Sequence, residues 1–123
     1  MSSIEHIISL AAMPAKSIPA SARRYATLSL FDWIMCGRAG AQQDLSRIIR
    51  TYILEDAGRK SATVFGSKSK VPSRAAALVN GTISHALDYD DTHFAHIGHT
   101  SVGIYPAALA VGEEVKASAS AIR

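Results

Sequence analysis

A chain of 123 residues accommodates one domain with a hydrophobic core, burying about two thirds of the surface that its unfolded form exposes, and no second domain. With 48% hydrophobic and 19% charged residues the composition is globular and excludes a disordered chain. The formal charge of +3 comes from basic residues scattered over several segments, locally dense only at 59–74, so nucleic acid is not an expected partner.

One cysteine, Cys36, set in an apolar run, excludes a disulfide framework and a cysteine metal cluster within the chain, which fits a reducing compartment. The stretch Met1 to Pro14 lacks a basic region ahead of its apolar residues, and Asp32, Gly37 and Arg38 interrupt the greasiest window. Neither a leader nor a membrane span is therefore expected, and a cytosolic location is.

In chain order, Ile4, Ile7, Ile8 and Ala11 follow helical spacing behind Ser2 and Ser3, with Pro14 ending the run. After Ile18 and Pro19 a longer helix carries Tyr25, Leu28, Leu30, Phe31, Trp33, Ile34 and Met35 around most of its circumference, which predicts a central helix. Within it Tyr25 and Trp33 read as core, and Asp32 as the partner of an arginine or a cap. Leu45, Ile48, Ile49, Tyr52 and Ile53 line one face of a third, peripheral helix, for which Gly58 is the expected left-handed cap. Residues 61–65 read as a brief extended segment or loop.

A fourth helix of small side chains is predicted from Pro72 to about Asp88, with Asn80 and Gly81 serving close packing. A loop then runs from Tyr89 to Thr100. A fifth helix opens at Ser101 or Tyr105 and continues to Glu114 across Pro106, and Ala117 to Arg123 reads as the start of a sixth. The fold class is all-α, with about five helices.

The chemistry is concentrated. Four of the five histidines (His85, His93, His96, His99) and three of the six aspartates (Asp88, Asp90, Asp91) fall within fifteen positions. Carboxylates at the C-terminal end of a helix oppose its dipole, at a cost of a few tenths to about 1 kcal/mol each. Such a cost without structural return points towards function. On the predicted helix His85 and Asp88 share a face at i, i+3, as do Ser84 and Asp88 at i, i+4. A histidine beside a carboxylate suits proton transfer near neutral pH. The same residue types also ligate divalent ions, so His85, Asp88, Asp91, His96 and His99 leave a metal site open, although their spacing matches no strong zinc pattern. A solvated polar loop is the third reading.

The run Ala75-Ala-Ala-Leu-Val-Asn80-Gly81-Thr82-Ile-Ser-His85-Ala-Leu-Asp88-Tyr-Asp90-Asp91-Thr92-His93, followed by His99-Thr-Ser101, resembles the signature of the MmgE/PrpD family, which includes 2-methylcitrate dehydratases and cis-aconitate decarboxylase. Ile18-Pro19, Leu30-Phe31-Asp32 and Gly37 to Gly40 resemble that family's opening helices, so the likeness spans nearly the whole chain. It implies the N-terminal portion of the family's helical domain, as residues 1–123. It also implies a reaction beside a carboxylate: loss of water or of carbon dioxide from a small di- or tricarboxylate, without metal or organic cofactor.

Carried onto matching positions, the resemblance implies catalytic roles for Asp88, Thr92 and His99. His99 would transfer a proton or bind a substrate carboxylate, Thr92 would hydrogen-bond the substrate, and Asp88 would orient or protonate within the site. His85 and Ser101 are the expected substrate-binding residues, whereas Asp90, Asp91 and His93 are expected to shape the loop. Two departures concern substrate identity: Thr100 stands where the family usually has proline, and the loop from Thr92 to His99 is a residue longer than in some members.

Family members are several times longer, so a fragment inactive alone is expected, self-associating as a homodimer or larger assembly through unfilled apolar surface. The alternative is a binding module that keeps the fold without catalysis.

Overall fold

A computed structural model describes residues 2–55 and 58–122. Ser2 opens α1 (Ser3–Ala11) with a reciprocal capping box: its hydroxyl accepts from Glu5 N, and Glu5 Oε2 accepts from Ser2 N at 2.7 Å. Pro14 lies beyond the helix, ahead of a single 3-10 turn, Ala15–Ser17. α2 (Ala20–Gly40) starts directly after Pro19.

Only the C-terminal half of α2 is central. Trp33, Cys36, Gly37 and Gly40 are buried there, but Tyr25, expected in the core, is 72% exposed, and Leu28, Phe31 and Met35 also face outward. The reason is the crossing point: a Cβ added at Gly40 would sit 2.0 Å from Ile83 O, so α2 meets α4 backbone to backbone near its end. The N-terminal half is held to α5 by Tyr105, whose hydroxyl donates to Ala26 O at 2.7 Å. Asp32 takes the Cys36 thiol at 3.9 Å rather than an arginine. Burial, reinforced by the Asp32 charge, pushes that thiol up to about 11 and keeps it protonated at neutral pH.

α3 (Asp44–Leu54) is fixed to the end of α2 by buried Ser46, which donates to Gly40 O at 2.7 Å. Ile53 is buried and Ile49 packs beside the core, while Leu45, Ile48 and Tyr52 of the predicted apolar face are exposed. The helix stops with Glu55 in a right-handed conformation, so Gly58 is not its cap.

The segment after α3 makes one isolated antiparallel bridge, Ala62 to Val71, and buries Ala62, Val64 and Val71. Asn80 pins it: its Oδ1 accepts from Phe65 N at 2.9 Å and its Nδ2 donates to Thr63 O at 2.8 Å. Glu113 holds the other side, accepting from Thr63 N, Thr63 Oγ1 and Lys70 Nζ.

α4 (Ser73–Ser84) is the hub, with Ala75, Ala76, Val79 and Ile83 forming the core with Ala41, Ile53, Val64 and Ala110. Its small residues admit α5 (Ser101–Glu114) closely; a Cβ on Gly81 would lie 3.4 Å from Val102 O. Pro106, inside α5, has no N–H for Val102 O, and the helix continues past it. A short α6 (Ala119–Ile122) follows, and Arg123, included in the predicted sixth helix, lies outside the described residues. Among the described residues the architecture is mainly helical, with one two-stranded hairpin. Among the described residues no helix is long and apolar enough to cross a membrane.

Candidate active site

The site is built where α4 stops. The helix ends at Ser84, four residues before the predicted Asp88, because Ser84 is buried under Trp33, accepting its Nε1–H at 2.8 Å, and His85 becomes the C-cap. Residues 85–88 make a turn closed by Asp88 N to His85 O at 3.1 Å, and Asp88 takes a left-handed φ of 54°. Aspartate tolerates that conformation better than most side chains. The shared helix face expected for Ser84, His85 and Asp88 is therefore absent, and the reversal at Asp88 turns the chain back across the helix end.

The returning chain gives neighbouring aspartates different tasks. Asp90 points inward, with its side chain 0% exposed, and its Oδ1 lies 2.9 Å from His85 Nδ1 and 3.3 Å from His99 Nδ1. His99 Nδ1 also lies 3.0 Å from the Asp90 carbonyl oxygen. The two imidazoles meet edge to face with centroids 4.7 Å apart. Their outer nitrogens converge on one oxygen: Asp88 Oδ1 is 3.8 Å from His85 Nε2 and 3.5 Å from His99 Nε2. Asp88 is 79% exposed at its side chain, so this convergence faces solvent.

Asp91 does structural work. It accepts from Ser101 N at 3.1 Å, Ser101 Oγ at 2.6 Å, Thr100 Oγ1 at 3.2 Å and Ser29 Oγ at 2.7 Å. It thereby caps α5, whose own N-cap Thr100 makes no side-chain cap, and ties the loop to α2. Burial by itself would raise its carboxyl, but the bonds from Ser101, Ser29 and Thr100 prevail and hold it below the ordinary 3.8. Ser101 is 2% exposed, with its hydroxyl donating to Asp91 and lying beside Ser29 Oγ.

The predicted loop contains a hairpin, β1 (Thr92–His93) against antiparallel β2 (Gly98–His99), which sets Thr92 directly opposite His99. Thr92 is exposed and its hydroxyl reaches Asp90 O at 3.5 Å. The hairpin tip carries Ile97 at a φ of 53° and presents Phe94 and Ile97, each 90% exposed. His93 and His96 lie on this arm, where His93 Nδ1 accepts from His96 N at 3.2 Å.

The structure thus gathers His85, Asp88, Asp90 and His99, with Thr92 at the edge. It leaves His96 on the arm and Asp91 committed to α5, which dissolves the five-residue ligand set considered from sequence. A tighter set of three, His85, Asp90 and His99, has ligand atoms within 4.8 Å of one another and fits a divalent ion by donor type. Asp90 is the residue that sequence reasoning assigned to loop shape and missed as the partner of both histidines. An open groove of about 540 Å³ between α4 and α5, lined in part by Ala77, Gly81, Gly103 and Ala107, reaches His85. Among the described residues no lysine or arginine pairs with Asp88, Asp90 or Asp91.

A mainly helical domain that gathers histidines and aspartates at one helix end is the class of protein that this fold and cluster define. Residues 9–122 match the MmgE/PrpD N-terminal domain, and the chain belongs to that family. It is similar to the cis-aconitate decarboxylase-like protein oryM of Aspergillus oryzae (strain ATCC 42149 / RIB 40), at 30% identity over 96 residues. That match covers 78% of this chain and 20% of the relative, so the chain spans about a fifth of the length of the curated relative it matches. No solved structure matches it significantly.

Proposed function

We propose that this domain supplies the proton-transfer side of a lyase site acting on small di- or tricarboxylates, of the 2-methylcitrate dehydratase or cis-aconitate decarboxylase type. The observation that carries the reading is the convergence of His85 Nε2 and His99 Nε2 on the exposed Asp88 Oδ1, in a chain of this family. In dehydration, a base takes a proton from the carbon beside a carboxylate while hydroxide leaves the neighbouring carbon and is protonated. His99 serves as the base or as a carboxylate anchor, Asp88 orients or protonates, Thr92 and His85 hydrogen-bond the substrate, and Ser101 supports it through the anchored turn. The reading requires neither metal nor organic cofactor, as the family resemblance implies.

A substrate with two or three carboxylates also needs cations. The described residues place no lysine or arginine on the cluster, so the proposal takes these groups from sequence beyond this segment. The exposed apolar side chains of α1, α2 and α3 favour a homodimer, and the single buried cysteine favours the cytosol.

The test is an assay of the complete polypeptide on 2-methylcitrate and on cis-aconitate. Turnover of either acid supports the reading. Binding of both without turnover favours the non-catalytic module, and neither binding nor turnover overturns both.

A further inference from the structure

From the contacts of Asp90, we infer that it is a positioning residue that holds His85 through its carboxylate and His99 through its main-chain carbonyl in one tautomer, protonated on Nδ1, so that both Nε2 lone pairs face the open side of the site. A main-chain carbonyl only accepts, so the 3.0 Å approach of His99 Nδ1 to Asp90 O requires the proton on that nitrogen. An ionised carboxylate only accepts as well, so His85 Nδ1, 2.9 Å from Asp90 Oδ1, carries its proton too. Asp88 Oδ1 stands 3.8 Å from His85 Nε2 and 3.5 Å from His99 Nε2 and makes no hydrogen bond to either ring, so each neutral ring keeps its lone pair on Nε2. Free imidazole side chains prefer the opposite tautomer, so this arrangement is imposed by the partner.

Burial gives the carboxylate its precision. The Asp90 side chain is 0% exposed, whereas those of His85 and His99 are 44% and 23% exposed. Asp90 is thus the fixed member and the rings are the members that reach substrate. Its second oxygen, Oδ2, has no hydrogen-bond partner among the described residues, so the carboxylate's paired contacts in the site are those to the two histidines. The part these lone pairs play in proton transfer rests on the lyase reading; the tautomers themselves do not.

The test is nitrogen NMR of the histidine rings in the 123-residue chain, at a pH where the rings are neutral. His93 is an internal control, because its Nδ1 accepts from His96 N and its proton therefore belongs on Nε2. Wild-type His85 and His99 are expected to show pyrrole-type Nδ1 and pyridine-type Nε2 resonances, the reverse of His93. In Asp90→Ala, His85 Nδ1 is expected to move to the pyridine-type range, with His93 unchanged. A wild-type His85 or His99 protonated mainly on Nε2 overturns the inference, as does an unmoved His85 in a folded Asp90→Ala. Should that variant not fold, the wild-type spectrum still decides. Failure of the lyase reading appears separately, as absent turnover with the tautomers as described.

Discussion

Replacing Asp91 with alanine removes the acceptor on which α5, the hairpin and α2 are joined. The carboxylate takes four hydrogen bonds, from Ser101 N, Ser101 Oγ, Thr100 Oγ1 and Ser29 Oγ. Loss of a helix cap costs about 0.5–2 kcal/mol. Each hydrogen bond to a charged group contributes about 1.5–3 kcal/mol, but the contributions of one network do not add. Ser101 Oγ keeps Ser29 Oγ as a neighbour, which offsets part of the loss. The balance is a destabilisation of about 2–4 kcal/mol, against about 1 kcal/mol for Ser29→Ala, which removes one of the four bonds. Urea unfolding followed by the fluorescence of Trp33, the one tryptophan and 2% exposed, reads both variants. An Asp91→Ala protein within about 0.5 kcal/mol of wild type, the scatter of ordinary surface changes, would refute the anchoring role.

Three further outcomes follow from the packing and charge. Gly40→Ala should lower stability by about 1–3 kcal/mol or more in thermal unfolding, because its Cβ meets Ile83 O at 2.0 Å and backbone has to move; an unchanged midpoint contradicts the crossing. Asp91 and Glu113 both titrate below their ordinary values of 3.8 and 4.5 when folded, burial opposing and hydrogen bonds from Ser101 and from Lys70 and Thr63 prevailing. The unfolded chain therefore takes up protons first, so their contribution is complete above those ordinary values and is lost as pH falls through the folded ones. Acid titration of stability should show this loss, with a shallower slope in Asp91→Asn, and a steeper one contradicts it. Sedimentation should find a dimer or larger species, since Ile4, Ile7, Ile8, Phe31, Ile48 and Tyr52 are each more than 60% exposed; a monomer would contradict the proposed assembly.

Helix starts were legible where a local signal marks them, as Ser2 does for α1 and Pro19 for α2, whereas the start of α5 stayed open between Ser101 and Tyr105 because its cap, Asp91, lies ten residues upstream. Ends were less so. Ala86 and Leu87 extend the apolar pattern of α4, yet the helix stops at Ser84, since the Trp33 bond and the left-handed Asp88 are tertiary facts. The hairpin at 92–99 was missed because its strands have two residues each, and Ile97 at positive φ stands where sequence rules look for glycine or asparagine. Exposure of Tyr25 was equally hidden, because an apolar circumference states what a helix can bury and not which neighbours are there. The density of histidine and aspartate located the candidate site, but dividing labour among Asp88, Asp90 and Asp91 required the reversal at Asp88. Asp90, inward and between two rings, differs in sequence from Asp91 by nothing but position.

The central claim is that the outward nitrogens at this helix end move protons for a carboxylate substrate. Its most direct test is the turnover of the complete polypeptide carrying His99→Ala, on whichever of 2-methylcitrate and cis-aconitate the parent protein uses. A fall of at least about a hundredfold with the fold intact is expected, as for a positioned proton-transfer group. Near-normal turnover in the folded variant would contradict it.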